Sequence, residues 1–155
     1  MVVLRYTSDL RVEVDGYLSS RQHGVRGPIT FVVDTGSHRT ILGPRDAAAL
    51  GFPTGEFPRY SGLPLFGIGG KGVPLDAGPC QIVLGDAEIV DDEPVLFFAP
   101  EREEKIRSKG GGARQERRVR TFALPSLLGC AFLERNRCVL TVDFARRQGE
   151  IRQVA

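Results

Sequence analysis

The chain has 155 residues and a net charge of only +2, because 21 lysines and arginines are nearly balanced by 19 aspartates and glutamates. This length suffices for one domain with its own core, and the small charge argues against a protein that coats nucleic acid. No apolar run reaches the roughly 20 residues that a membrane-spanning helix needs. The amino terminus, MVVLRYTSDL, becomes charged too early for the apolar core of a signal peptide. We therefore expect a single cytoplasmic domain over residues 1–155.

Cysteine and histidine are few and are not spaced as metal ligands. Cys80, Cys130 and Cys138 form no C-x-x-C pair, which argues against a disulfide framework or a zinc knuckle. The two histidines, His23 and His38, lack the spacing of a zinc-binding helix. We expect partly buried thiols in a reducing compartment, and neither a metal nor another cofactor.

The periodicity and the many turn residues, 19 glycines and 10 prolines, favour an all-β chain. The predicted strands, in chain order, are Leu10–Leu18, Ile29–Val33, Thr40–Leu42, Cys80–Leu84, Ala87–Val90, Val95–Phe98, Cys138–Phe144 and Glu150–Val154. Gly27-Pro28 predicts a break before the second strand, and Gly85-Asp86 predicts a two-residue hairpin turn. Pro44–Leu50 can form one or two helical turns, whereas Gly129–Arg135 is the one clear helix.

The segment Glu101–Arg120 differs in composition from the rest of the chain. Its eight lysines and arginines and four glutamates give it a charge of +4, while the remaining residues sum to −2. The glycines Gly110–Gly112 at its centre disfavour regular structure. Three interpretations stay open: a solvated mobile loop, a docking arm for an acidic partner or RNA, and a loop open to proteolytic cleavage. The segment contains no aromatic residue on which bases could stack.

The residues that carry chemistry follow the second strand, in the stretch FVVDTGSHRTIL. Asp34 comes directly after an apolar strand, so a rigid strand end delivers its carboxylate onto a tight turn. Gly36 permits backbone conformations and close approaches that other residues do not. Thr35 and Ser37 supply hydroxyl groups that can orient the carboxylate. A D-T-G tripeptide alone is also typical of an ordinary turn, but here apolar segments flank it on both sides.

This motif resembles that of the retropepsin-like aspartic proteases, including their bacterial soluble members. In that family an apolar strand leads into D-T-G-[AS], a glycine-rich hairpin called the flap follows, and an apolar-apolar-Gly motif precedes a short helix. The chain has Asp34–Ser37, then FGIGG at Phe66–Gly70, then Leu127–Gly129 before its helix, in the same order. The resemblance spans roughly residues 10–154. It implies a closed acid-protease β-barrel with a glycine-rich flap and one short C-terminal helix.

The resemblance also implies an aspartic endopeptidase, in which two carboxylates act on one water molecule. The chain contains one D-T-G, and Asp76-Ala77-Gly78 is interpreted as a turn after the flap. The second carboxylate is therefore expected from a second copy of the chain, with Asp34 facing its equivalent across a two-fold axis. The implied substrate is an extended peptide or an unfolded protein. The implied roles are catalysis for Asp34, active-site loop support for Thr35, Gly36 and Ser37, and flap contacts with substrate for Gly67, Ile68, Gly69 and Gly70.

Residues next to these motifs depart from the retroviral pattern. Where retroviral members have two aspartates after the motif, this chain has His38 and Arg39, and Cys130 and Ala131 follow the later glycine. Substrate preference therefore cannot be carried over from the family. His38 is either a solvated loop residue or a charge that shifts the pH profile of cleavage. A plain hairpin turn is the alternative interpretation of the GIGG segment.

Three functions remain in competition at this stage. The first is an active homodimeric aspartic peptidase without a membrane or nucleic-acid partner. The second is a catalytically weak or inactive module that dimerises or binds peptides, because a fold alone does not fix an activity. The third is an RNA-associated or regulatory protein that acts through residues 101–120. Serine catalysis is not expected, since the chain has no G-x-S-x-G motif.

Overall fold

The computed structural model describes residues 1–62, 65–67, 70–72, 74–98 and 124–155, the two central three-residue segments by their backbone alone. Two short α-helices lie in these residues, α1 (Pro44–Leu50) and α2 (Cys130–Arg135). The strands are β1 (Val2–Val3), β2 (Arg5–Tyr6), β3 (Val12–Ser20), β4 (Val25–Val33), β5 (Thr40–Leu42), β6 (Leu65–Gly67), β7 (Gly70–Gly72), β8 (Pro74–Leu84), β9 (Ile89–Phe98), β10 (Leu127–Leu128), β11 (Cys138–Asp143) and β12 (Gln148–Gln153).

The main sheet closes on itself, which confirms the predicted all-β barrel. Its strand order is β2-β3-β4-β10-β5-β9-β8, and β3 also pairs with β8, so six strands form a ring. Alternate residues of each long strand point inward, as the two-residue period of a strand requires. The barrel interior is mainly apolar, with buried side chains that include Val14, Leu18, Phe31, Ile82, Leu84 and Val95.

Two sequence expectations about strand ends are wrong. Strand β4 runs through Gly27-Pro28 without a break. Proline is accommodated there because β10 pairs only with Val32 and Val33, so among the described strands β3 alone pairs with β4 at Pro28. The turn after β8 also has four residues, 85–88, instead of two. This longer turn allows the buried Leu84 and Ile89 to pair directly across β8 and β9.

The second Asp-x-Gly lies inside a strand, so the predicted turn at Asp76-Ala77-Gly78 is also wrong. Asp76 pairs with Leu96 and Gly78 with Val95, which gives β8 one extra residue, a β-bulge. The bulge requires a positive φ of 78° at Gly78, and the Gly78 N–H donates to Asp76 Oδ1 at 2.8 Å. The hydrogen bond between Gly78 and Asp76 therefore stabilises the β-bulge of strand β8.

Two smaller sheets accompany the barrel. The predicted C-terminal hairpin forms from β11 and β12, and β1 pairs with the other edge of β12. Strands β6 and β7 form an antiparallel hairpin in which Gly67 pairs with Gly70. Ile68 and Gly69 lie outside the described residues, as does the basic segment 101–120. In the part of the chain that the structure describes, no helix is long and apolar enough to cross a membrane.

Candidate active site

The loop that carries Asp34 is built over a two-residue strand from much later in the chain. Strand β10 lies between β4 and β5, parallel to β4 and antiparallel to β5. The Asp34 N–H donates to the Leu128 carbonyl oxygen at 3.2 Å, and the Val32 N–H donates to that of Ser126 at 2.9 Å. The residues before and after the loop are thus fixed by the same short strand.

The carboxylate of Asp34 is half-buried and held by its own loop. Its Oδ1 accepts a hydrogen bond from the Gly36 N–H at 2.9 Å, and the Ser37 N–H donates to the Asp34 carbonyl oxygen at 3.1 Å. A Cβ atom at Gly36 would lie 3.2 Å from Oδ1, closer than an ordinary contact, so glycine suits this approach. The other carboxylate oxygen, Oδ2, accepts no hydrogen bond from the described residues of the protomer and is available to a ligand or a second carboxylate.

The two hydroxyl residues of the loop do not orient the carboxylate directly. The Ser37 hydroxyl donates to the Arg39 carbonyl oxygen at 2.7 Å, which stiffens the second half of the loop. Thr35 is exposed, and its carbonyl oxygen accepts a weak hydrogen bond from the Cys130 thiol at 3.2 Å. The Thr35 side chain therefore faces the outside of the protomer, where a partner could reach it.

Gly129 joins the loop to helix α2 through a close backbone approach. A Cβ atom there would lie 2.4 Å from the Arg39 carbonyl carbon and 2.8 Å from the His38 carbonyl oxygen. The φ of −85° at Gly129 is open to any residue, so space alone requires glycine. The next two N–H groups donate to the loop, from Cys130 to the Ser37 oxygen at 2.8 Å and from Ala131 to the His38 oxygen at 3.0 Å.

A buried threonine that the sequence analysis did not single out completes this junction. Thr40 is fully buried, and its Oγ1 accepts a hydrogen bond from the Gly129 N–H at 3.2 Å. A buried hydroxyl needs a hydrogen-bond partner. The threonine at the start of the apolar strand TIL therefore indicated, in the sequence, a buried hydroxyl bonded to another segment.

A second group of polar residues fixes the segment before β10. The buried Ser126 hydroxyl donates to the Asp46 carboxylate and accepts a hydrogen bond from the Gly43 N–H at 2.9 Å. A Cβ atom at Gly43 would lie 2.4 Å from the Leu124 carbonyl oxygen. Helix α1 is therefore tied to the chain that enters β10, which sequence patterns did not indicate.

At the C-terminal end of α2, a cluster of one arginine and two carboxylates anchors the helix to β9. The guanidinium of Arg135 forms ion pairs with Asp91, at 2.6 Å, and with Glu93. The hydrogen bond that Arg135 donates to the Glu93 carboxylate is the main cause that raises the pKa of Arg135. Glu93 is fully buried, and its Oε1 has no hydrogen-bond partner among the described residues. Glu93 shares the inward face of β9 with Ile89 and Val95, because the three are separated by even numbers of residues. This alternation was the sequence signal for its burial.

Arg39 links the Asp34 loop to the chain beside the β6–β7 hairpin. Its Nη2 donates to the Tyr60 hydroxyl over a long 3.4 Å. The Tyr60 N–H in turn donates to the Pro74 carbonyl oxygen at 3.0 Å, and the Asp76 N–H to that of Pro58 at 2.8 Å. Residues 58–60 thus run along the start of β8, and β8 is the strand that follows the β6–β7 hairpin in the chain.

Comparisons with known proteins detect the fold through structure alone. No protein-family model matches the sequence, and no curated protein matches it. A solved retropepsin-like aspartic protease from Rickettsia conorii is similar to the chain, with 18% identity, a TM-score of 0.55, and coverage of 96% of this chain and 86% of that one. The EIAV protease in complex with the inhibitor HBY-793 is similar with 15% identity, a TM-score of 0.50, and coverage of 84% and 91% respectively. The chain therefore has the retropepsin-like fold.

Proposed function

We propose that the protein is an aspartic endopeptidase that cleaves extended peptides or unfolded proteins as a homodimer. The observation that carries this proposal is the position of Asp34 in a retropepsin-like fold. The residue lies on a braced loop at the end of β4, with Oδ1 bound to the Gly36 N–H and Oδ2 open. A rigidly held, accessible carboxylate is what acid–base chemistry on a water molecule requires.

The second carboxylate of the site would come from another copy of the chain. Within the described residues, Asp34 forms no hydrogen bond with another carboxylate. The other Asp-x-Gly has a different setting, because Asp76 lies inside strand β8 beside its β-bulge and not on a loop after a strand end. A two-fold axis beside the loop would place Asp34 opposite its equivalent, since such an interface is self-complementary. The exposed Thr35 would then contact the partner loop.

The proposed reaction follows from two carboxylates that share one proton. Two carboxyl groups in contact do not both ionise readily, because their negative charges repel each other. One carboxyl therefore stays protonated while the other is ionised. The ionised group removes a proton from the water molecule as it attacks the peptide carbonyl carbon. The protonated group donates its proton to the carbonyl oxygen. The carboxyl that took the proton from water then protonates the amide nitrogen, and one hydroxyl of the diol gives its proton to the ionised carboxylate as the carbonyl re-forms. The C–N bond breaks in this step, and the pair again holds one shared proton.

The remaining predicted site residues would position the substrate and the loop. Gly36 and Ser37 hold the loop through the hydrogen bonds described above. The hairpin around Gly67–Gly70 would act as a flap that closes over the substrate and excludes water. An extended peptide suits such a cleft because its main-chain groups are free to form strand-like hydrogen bonds.

The direct test compares wild type with Asp34→Asn on unfolded casein between about pH 4 and 7. We expect Asp34→Asn to lose at least about a hundredfold in cleavage rate while it keeps its fold by circular dichroism. Asp76→Asn is the matched control, since the Asp76 carboxylate accepts the same kind of local hydrogen bond from the N–H of the glycine two residues later, Gly78. Its cleavage should stay near the wild-type rate. Equal cleavage by wild type and Asp34→Asn would refute the proposal.

Mixed dimers test whether the site is shared between two copies. When wild type at fixed concentration is mixed with an equal amount of Asp34→Asn, random exchange should leave about half of the wild-type homodimers, and so about half of the activity. An enzyme with a complete site in each monomer would keep its full activity. Sedimentation on the same samples should show dimers of both proteins.

A further inference from the structure

Arg39 lies where the Asp34 loop meets the chain beside the hairpin, and this position has consequences for substrate choice. The residue follows Asp34 by five positions and is half-buried. Its guanidinium reaches the Tyr60 hydroxyl, and Tyr60 is bound to the start of β8. Its charged group therefore lies between the Asp34 loop and the chain that pairs with the start of β8.

The charge of Arg39 is not neutralised by the protomer. Among the described residues, no carboxylate forms an ion pair with it. Arg59 adds positive charge nearby, because it is exposed and adjoins Tyr60 in sequence. The nearby Asp76 carboxylate accepts the Gly78 N–H inside the bulge. A half-buried guanidinium with one long bond to a neutral hydroxyl keeps most of its five N–H donors for another acceptor.

We infer that Arg39 is a specificity residue that binds an acidic side chain of the substrate close to the cleaved bond. The inference rests on the proposed peptidase function. Guanidinium and carboxylate groups form paired, charge-assisted hydrogen bonds, which are stronger than bonds to a neutral amide. The protein would therefore prefer peptides with Glu or Asp at one position next to the scissile bond over matched peptides with Gln or Asn there.

The expected preference is about tenfold in kcat/KM, which is the scale of one charge-assisted hydrogen bond at a partly solvated site. It should weaken as salt rises, because the pair is not fully buried. The Tyr60 hydroxyl should contribute by holding the guanidinium in place, although it carries no charge itself.

The test uses pairs of internally quenched peptides built on the first casein bond that the protein cleaves. Each pair differs only by Glu or Gln at one of the three positions on either side of that bond. We expect wild type to prefer Glu at one position, Arg39→Gln to bring the Glu-to-Gln ratio near one, and Arg39→Glu to favour Lys there. Arg152→Gln, which removes an exposed arginine from β12, is the charge-matched control and should keep the wild-type ratio.

The outcomes separate this inference from the proposed function. Cleavage by wild type with equal rates for Glu and Gln at every position would overturn the role of Arg39 and leave the peptidase intact. Failure to cleave any peptide would overturn the peptidase. In that case, anisotropy with fluorescein-labelled peptides of alternating Val and Glu, or Val and Gln, decides the inference. About tenfold tighter binding of the Glu peptide, lost in Arg39→Gln, supports it, and equal binding refutes it.

Discussion

Replacement of Gly129 by alanine is the sharpest test of how the Asp34 loop is held. The added Cβ would lie 2.4 Å from the Arg39 carbonyl carbon, and neither atom can rotate away, because one is a main-chain atom and the other is bonded directly to the main chain. Since carbon atoms pack at about 3.5–4.0 Å, the loop and α2 must separate by about 1 Å. That movement would stretch the bond from the Gly129 N–H to Thr40, now 3.2 Å, beyond hydrogen-bond range.

The magnitude follows from these two costs. Overpacking in a rigid site costs about 1–3 kcal/mol, and each lost hydrogen bond adds about 1 kcal/mol. We expect Gly129→Ala to lower the free energy of unfolding by about 3 kcal/mol, measured by urea titration at one protein concentration. A 1 Å shift of a reacting group can also cost about a hundredfold in rate. Casein cleavage by the proposed peptidase should fall accordingly.

The control for this prediction is Gly55→Ala. A Cβ atom at Gly55 would have no atom within 4 Å, so its stability should stay within about 1 kcal/mol of wild type. If Gly129→Ala and Gly55→Ala unfolded at the same urea concentration, the close approach of α2 to the loop would not constrain the site, and the reasoning would be refuted.

Two further predictions concern buried groups away from the loop. Arg135→Leu should cost about 3 kcal/mol of unfolding free energy, because it leaves the buried Glu93 without its ion-pair partner, whereas Glu93→Leu/Arg135→Leu should recover most of this loss. A double variant no more stable than Arg135→Leu would contradict that account. Burial raises the pKa of the Cys80 thiol from 9.0 to about 12, so its contribution to stability is complete below pH 9 and is lost as pH rises toward 12. Urea titrations of wild type and Cys80→Ala between pH 8 and 11 should therefore diverge. Above pH 9, the free energy of unfolding of wild type should fall by up to about 1.4 kcal/mol more per pH unit than that of the variant. Parallel curves would count against the burial effect.

The fold was predictable where its signals are local. The alternation of β3 and the glycine before α2 are visible in the sequence because each reflects the geometry of adjacent residues. The path of β10 was not, since a strand of two leucines has no period, and its place between β4 and β5 depends on long-range packing.

The candidate site divides in the same way. Asp34 and Gly36 were found because the D-T-G motif encodes a local turn, and the structure shows the Asp34–Gly36 hydrogen bond. The partners Thr40 and Tyr60 were missed, because a side chain that bonds to a distant segment leaves little trace in its own neighbourhood. Glu93 could have been identified as buried from its inward register on β9, but not its pairing with Arg135.

The insertion of β10 between β4 and β5 has a consequence for the order of events during synthesis. The loop that bears Asp34 is completed by contacts such as that between Thr35 and Cys130, which are 95 residues apart in the chain. At about 5–20 residues per second, the ribosome adds the second of these roughly 5–20 seconds after the first. A nascent chain therefore carries the Asp34 motif well before the contacts that hold its loop can form. The proposed peptidase activity would be withheld until synthesis has passed α2.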